Sequence, residues 1–154
     1  MHPDLEPLAF LLGTWRGEGR GEFPTILPFV YEEEMRFSLV GKKPYLAYSQ
    51  RSWSPGDETP VHSETGFWRP AGDGRLDVAL AHPLGLAEIG EGTVSGGEIR
   101  LYSAFVARAA RGLSVTRYDR TYSVAADAMT YAQSMATLSV PLARHVTAEL
   151  RRVE

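Results

Sequence analysis

The four histidines are the side chains of this sequence that offer the most chemistry. His145 lies near the C-terminus, within a β-forming segment at residues 141–150. An imidazole there can serve as a metal ligand or as a general acid or base, and it can equally be a strand histidine held by one hydrogen bond. Alternation alone does not show which face of this strand is inside, so both interpretations stay open. The two faces carry Ala143, His145, Thr147 and Glu149 on one side, and Leu142, Arg144, Val146, Ala148 and Leu150 on the other.

A second candidate is the pair His62 and Glu64, which are two residues apart and therefore share one face of an expected strand. This spacing can hold a metal ion or a proton-transfer pair. Because only two ligands are in sight, a cross-strand salt bridge is the favoured interpretation. His82 precedes Pro83 in an expected turn, and His2 lies near the N-terminus, so we expect both at the surface.

Composition excludes several classes of function. There is no cysteine, which rules out disulfides, thiolate nucleophiles and cysteine-ligated metals. A net charge of −3 with interleaved acids and bases argues against a nucleic-acid surface. No apolar run approaches the roughly 20 residues of a membrane helix, and residues 1–6 do not resemble a signal peptide. We therefore expect a cytoplasmic protein with no membrane or nucleic-acid partner.

The histidines must be held in place by a sheet, and the glycine-rich segment at residues 13–22 predicts the first strand of that sheet. Its glycines and one tryptophan alternate with polar residues. One face of the strand is therefore polar and faces solvent, and the only large side chain of the other face is an indole. Glycine is a poor strand former, and repeated glycine on the inner face requires a reason. Either other backbone approaches closely at a bend of a barrel, or volume is kept for a ligand. The inner face would carry Gly13, Trp15, Gly17, Gly19 and Gly21.

The rest of the chain predicts an all-β protein. Residues 4–12 favour a short helix with Asp4 as its cap, which Gly13 ends, and residues 23–29 contain two prolines and are expected to form an inward-folding loop. In the acidic run at residues 32–34 we expect two solvated side chains and one paired with an arginine. Further strands are expected at residues 29–39, 45–53, 61–68, 76–81, 84–94, 99–107, 113–124, 129–136 and 142–153.

With the first strand, this makes about ten strands joined by tight turns, as in an antiparallel up-and-down β-barrel of the fatty-acid-binding or lipocalin kind. Such a barrel closes on itself and so has no free edges. Ten strands enclose more space than side chains fill, so we expect an interior cavity. Residues 1–154 are expected to form one domain.

Several segments together resemble the nitrobindin family of haem-binding β-barrels. The pattern Gly13-x-Trp15-x-Gly17-x-Gly19 matches the family signature near the N-terminus, and the loop that contains Thr25 follows it. Residues 62–70 and 88–93 are also similar. Near the C-terminus, Pro141-Leu142-x-x-His145 resembles the segment that carries the family's proximal haem ligand.

The resemblance implies a function that the residues alone do not. His145 would ligate the iron of ferric haem b, Thr25 would contact the porphyrin, and His62 would lie on the distal side. Members of this family bind nitric oxide and isomerise peroxynitrite to nitrate, so these small molecules would be the partners of a monomer or homodimer. The alternative is a carrier of an apolar small molecule, without redox chemistry, of the fatty-acid-binding or lipocalin type.

Overall fold

The computed structural model describes residues 1–154 and confirms the all-β prediction. Ten antiparallel strands form a closed barrel in which each strand pairs with its chain neighbours and β1 pairs with β10. The predicted meander and the strand count are therefore correct. The strands are β1 (Gly13–Phe23), β2 (Ile26–Leu39), β3 (Leu46–Trp53), β4 (Pro60–Gly72), β5 (Arg75–His82), β6 (Leu86–Ser95), β7 (Glu98–Arg108), β8 (Val115–Ala125), β9 (Ala128–Thr137) and β10 (Ala143–Arg152).

The N-terminal helix spans Pro3–Leu11 and is a 3₁₀ helix. Leu5, Leu8 and Leu11 are fully buried, at the spacing of three residues that places side chains on one side of such a helix. The expected cap was wrong, because the Nδ1 atom of His2 accepts the hydrogen bond from the Asp4 backbone N–H. The helix packs against β4 and β6 and contributes its leucines to the main core.

Close contacts on the inner face of β1 explain why that face carries glycines. Trp15 is fully buried, and its Nε1–H donates to the Leu11 carbonyl at 2.8 Å, which ties the helix to the barrel. A Cβ at Gly17 would collide with the backbone carbonyl of Glu149 on β10, so here close backbone approach is the reason for glycine.

Two further glycines of this face, Gly19 and Gly21, make room for aromatic rings. A Cβ at Gly19 would collide with the ring of Tyr31, and a Cβ at Gly21 would collide with the ring of Phe29. Both rings come from β2 and line the barrel cavity. The space over these glycines therefore holds cavity wall, and neither glycine leaves open volume for a ligand.

The prediction of a loop at residues 23–29 was wrong. β1 and β2 form a tight hairpin there, and β2 begins at Ile26 and includes Pro28. Pairing between β2 and β3 begins only at Glu32, so the strand at Pro28 has a neighbour on one side only. Pro70 lies in a similar overhang of β4, beyond the last pair with β3 at Trp68. A proline is tolerated where one edge of the strand is unpaired.

The main core lies inside the barrel at the end that the N-terminal helix closes. It joins that helix to large side chains such as Trp15, Trp68 and Phe37. The chain contains no helix that is both long and apolar enough to span a lipid bilayer.

Candidate functional site

The barrel encloses a cavity of about 1080 Å³. This volume slightly exceeds the ~300–1,000 Å³ typical of small-molecule sites. About half of its lining residues are hydrophobic, and they come from most of the strands. His145, Thr25 and His62 all line this cavity, so the structure brings together the three residues expected to form the site.

His145 reaches the cavity through a β-bulge in β10. Ala148 and Leu150 of this strand are buried in the barrel, and regular alternation from them would turn His145 outward. The pairing with β9 shifts between Arg144 and Val146, which leaves His145 as the extra residue. A bulge of this kind re-aims a side chain, and both His145 and Val146 line the cavity as a result.

The half-buried imidazole of His145 is held in one tautomer. Its Nδ1 lies 3.1 Å from the backbone carbonyl oxygen of Glu22, and a carbonyl only accepts, so Nδ1 carries the hydrogen. The Phe23 ring packs edge-on against the imidazole, with centroids 5.6 Å apart. Burial lowers the pKa of His145, although the Glu22 carbonyl partly offsets this effect. Neutral imidazole with Nδ1–H engaged leaves Nε2 with a free lone pair, which is the state that a metal-ligating histidine requires.

His62 and Thr25 lie elsewhere on the cavity wall. Thr25 lies in the tight turn between β1 and β2. His62 is near the start of β4, and in the closed strand order β4 is four strands away from β10. The His62 side chain is 41% exposed, and its Nε2 lies 3.5 Å from a carboxylate oxygen of Glu64. The expected cross-strand salt bridge is present at Glu64, which contacts Arg120 of β8 and His82 of β5, while His62 contacts Glu64 within β4.

The expectation that His82 is a surface residue was wrong. Its side chain is 2% exposed, and its ring stacks on that of Tyr118 with centroids 5.2 Å apart. The strand continues one residue further than predicted, and His82 extends the inward row formed by Leu76, Val78 and Leu80. The period-two pattern of β5 therefore contained the signal, and the proline that follows obscured it.

A buried ionic cluster on one side of the cavity was not predicted. Arg120 is 2% exposed, and its Nη2 donates to Glu88 Oε1 at 2.5 Å and contacts Glu64 Oε2 at 3.4 Å. Burial is the largest influence and raises the pKa of both carboxyls, but the Arg120 charge and the neighbouring histidine contacts together outweigh it and hold each pKa well below its usual range. His82 Nε2 lies 3.0 Å from Glu88 Oε1, and the Tyr48 hydroxyl donates to Glu64 Oε1 at 2.8 Å.

The three consecutive glutamates have separate environments. Glu34 bonds with Arg16 and Arg51, as expected for one of the three. Glu33 was expected to be solvated or paired with arginine, yet it is 1% exposed inside the barrel. There it accepts a 2.7 Å hydrogen bond from the Tyr131 hydroxyl. Burial raises the pKa of Glu33 from 4.5 to about 7, although the Tyr131 bond opposes this rise.

These features define a class of protein: a closed β-barrel with a ligand cavity into which a bulge directs the imidazole of His145. Residues 4–152 match the family described as the THAP4-like, heme-binding beta-barrel domain. The chain belongs to this haem-binding family, which confirms the haem-binding barrel that the sequence resemblance implied.

Curated relatives cover nearly the whole chain. It is 43% identical to peroxynitrite isomerase 2 of Mycobacterium ulcerans, over 99% of this chain and 96% of that protein. It is 40% identical to an Arabidopsis thaliana protein named peroxynitrite isomerase Rv2717c, over 99% and 91% of the two chains. These relatives are enzymes by name.

Solved structures agree with the fold. The crystal structure of Rv2717c from M. tuberculosis matches with a TM-score of 0.92 at 39% identity, covering 100% of this chain and 99% of that one. The S-type phycobiliprotein lyase CPES of Guillardia theta matches with a TM-score of 0.65 at 9% identity, a likeness of fold alone.

Proposed function

We propose that this protein holds ferric haem b in the barrel cavity through His145, binds nitric oxide there and isomerises peroxynitrite to nitrate. One observation carries the proposal: a bulge directs the His145 imidazole into a large cavity, and its Nδ1–H bond to Glu22 leaves Nε2 free. The relatives named peroxynitrite isomerase supply the reaction class.

The residues present fit such a group. Haem is a large flat ligand, and the cavity offers sufficient volume and aromatic walls such as Phe23 and Phe29. The Nδ1–H bond from His145 to the Glu22 carbonyl fixes the ring orientation and raises the basicity of Nε2. With no cysteine in the chain, no thiolate competes with His145 for the iron.

Ferric haem, when bound, supplies the isomerisation chemistry itself. The protein contributes position and environment. His145 would ligate the iron, and the hydrophobic part of the lining would pack against the flat faces of the haem. Thr25, in the turn between β1 and β2, would contact the porphyrin, as the family resemblance implies. His62, on another wall, offers a ring N–H that can orient an anionic substrate by a hydrogen bond.

The test is a titration with ferric haem, followed through the Soret absorption band. We expect wild type and the control His2→Ala to bind one equivalent with the same spectrum, because His2 does not line the cavity. His145→Ala should shift the band and weaken binding. An unchanged spectrum and affinity in His145→Ala would show that this residue is not the iron ligand.

Activity separates the enzyme from the alternative carrier. The haem-loaded protein should accelerate peroxynitrite decay and raise the yield of nitrate over nitrite, and it should bind nitric oxide with a spectral change. A carrier of apolar molecules would instead take up a fluorescent fatty-acid probe and leave the rate of peroxynitrite decay unchanged. Haem should displace such a probe if both occupy the same cavity.

A further inference from the structure

Three potential metal ligands other than His145 meet on the cavity wall. They are His62 Nε2, Glu64 Oε2 and His82 Nδ1, and all three atoms lie within 4.8 Å of one another. Glu64 Oε2 is 3.5 Å from the His62 nitrogen and 3.6 Å from the His82 nitrogen. A tetrahedral ion with ligand distances of about 2.1 Å separates its ligand atoms by about 3.4 Å. Both carboxylate–imidazole separations are therefore close to those of a metal site.

The outer contacts already hold two of these ligands in place. Glu88 is a carboxylate acceptor, so His82 Nε2 carries the hydrogen of their 3.0 Å bond. Metal-ligating histidines commonly donate their second N–H to a carboxylate in this way. Glu64 Oε1 is likewise held by the Tyr48 hydroxyl, and Oε2 faces the two imidazoles, with Arg120 Nη2 at 3.4 Å as its further neighbour.

His82 Nδ1 is a buried nitrogen without a hydrogen-bond partner. The His82 side chain is 2% exposed, so bulk water does not reach this nitrogen to form a hydrogen bond with it. An orphaned buried polar atom is costly, and such atoms are uncommon in folded proteins. A proton on this nitrogen would point at Glu64 Oε2, but 3.6 Å is too long for a hydrogen bond. A cation between the two atoms would satisfy both.

The charges of the cluster also favour a cation. Two carboxylates, Glu64 and Glu88, face a single guanidinium, Arg120, and all three are buried. Between them, these three groups carry one more negative than positive charge in the barrel interior. Such a charge is expensive unless it is paired or coordinates a metal.

We propose that His62, Glu64 and His82 form a binding site for a first-row divalent transition-metal ion, separate from the haem ligand His145. Two imidazoles and one carboxylate suit zinc, cobalt or ferrous iron. All three residues line the cavity, so a bound ion would keep coordination positions open to water or a small anion inside the barrel. His62 is the adjustable member, because its side chain is 41% exposed and can rotate to complete the site.

The site stands on its own residues and does not depend on the proposed haem chemistry. The test titrates Co²⁺ into the full-length protein without haem and follows its visible absorption, with Zn²⁺ calorimetry in parallel. We expect one equivalent to bind, with release of any proton that the imidazoles carry. His62→Ala should weaken binding by about tenfold or more, because even an outer partner of a metal ligand is worth that much.

Two histidine controls define where the metal binds. His2→Ala and His145→Ala should both leave Co²⁺ affinity unchanged, because neither contributes to the cluster. His82→Gln removes the buried ligand and should abolish binding, with circular dichroism to establish that the barrel is intact. If that variant does not fold, His62→Ala still decides the question.

The proposal is overturned if no saturable equivalent binds, if His62→Ala binds like wild type, or if affinity falls in His145→Ala or His2→Ala instead. A negative result in the Co²⁺ titration would leave the haem proposal unaffected, because the haem titration tests His145, which is not one of the proposed metal ligands. Conversely, an unchanged Soret band in His145→Ala would refute haem ligation and leave the metal site intact.

Discussion

The buried carboxyl of Glu33 makes the stability of this barrel depend on pH near neutrality. Glu33 lies inside the barrel, and one of its oxygens accepts a hydrogen bond from Tyr131 while the other has no partner. Burial raises its pKa from 4.5 to about 7, with the Tyr131 bond opposing the rise and the negative charge of Glu64 adding to it. The variant Glu33→Gln keeps the shape of the side chain and removes the titration.

The sign follows from comparing the folded and unfolded chains. Below pH 4.5 Glu33 is protonated in both states and its titration has no effect. As the pH rises from 4.5 to 7, the unfolded chain loses this proton while the folded chain keeps it, so folding becomes less favourable. Each unit of pKa difference is worth about 1.4 kcal/mol, which gives a full loss of about 3 kcal/mol above pH 7.

The assay is urea unfolding of wild type and Glu33→Gln at several pH values between 5 and 8. Over that range, the unfolding free energy of wild type should fall by about 2.5 kcal/mol relative to the variant. The matched control is Glu34→Gln. Arg16 and Arg51 outweigh burial and lower the pKa of Glu34, so this carboxyl is ionised in both states and its replacement should have a constant effect over the same range.

A constant difference between wild type and Glu33→Gln from pH 5 to 8 would refute the reasoning. It would mean that Glu33 ionises in the folded barrel as it does in the unfolded chain. The wild type must be compared with the variant at each pH, because His145 also makes stability depend on pH. Its pKa is lowered in the folded barrel, so its contribution to the stability of the protein decreases as the pH falls through the same region. That contribution cancels in the difference.

Three further predictions concern the barrel wall and its buried cluster. Gly19→Ala should lower the unfolding free energy by about 1–3 kcal/mol, because its Cβ would collide with the Tyr31 ring; equal stability to wild type in urea unfolding would contradict this. Trp15→Phe should cost about 1–3 kcal/mol, since the Leu11 carbonyl loses its buried donor; a change under 0.5 kcal/mol (about the scatter of surface substitutions) would count against it. Arg120→Met should cost about 3–5 kcal/mol by stranding two buried carboxylates, and thermal melts at pH 7 should show no such loss if these carboxylates are protonated.

Much of the fold follows from local pattern. Alternation with period two and turn signals at regular intervals predicted ten strands, and tight turns between successive strands predicted a meander that closes. The glycine strand β1 was assigned with the correct inner face, because Trp15 stands alone among polar neighbours. The errors fell where a partner strand ends: prolines at 28 and 70 are compatible with strands that overhang their neighbours, and an isolated sequence does not show where pairing stops.

The functional site, like the fold, could be predicted only in part from the sequence. The sequence singled out His145 and the pair His62 and Glu64 by residue type and spacing, and the family resemblance gave His145 a role. It could not decide which way His145 faces, because a one-residue bulge in β10 shifts the alternation, and that bulge exists only in the pairing with β9. The cluster around Arg120 was equally hidden.

The sequence by itself determined the strands, the meander and the residues able to do chemistry, because these depend on side-chain type and on neighbours along the chain. Only the tertiary structure decided which of them meet. His82 and Glu88 come from adjacent strands and share a hydrogen bond, while Arg120 reaches them from β8 across the barrel interior. Closure of the sheet buries these charges together, and burial makes their pairing obligatory.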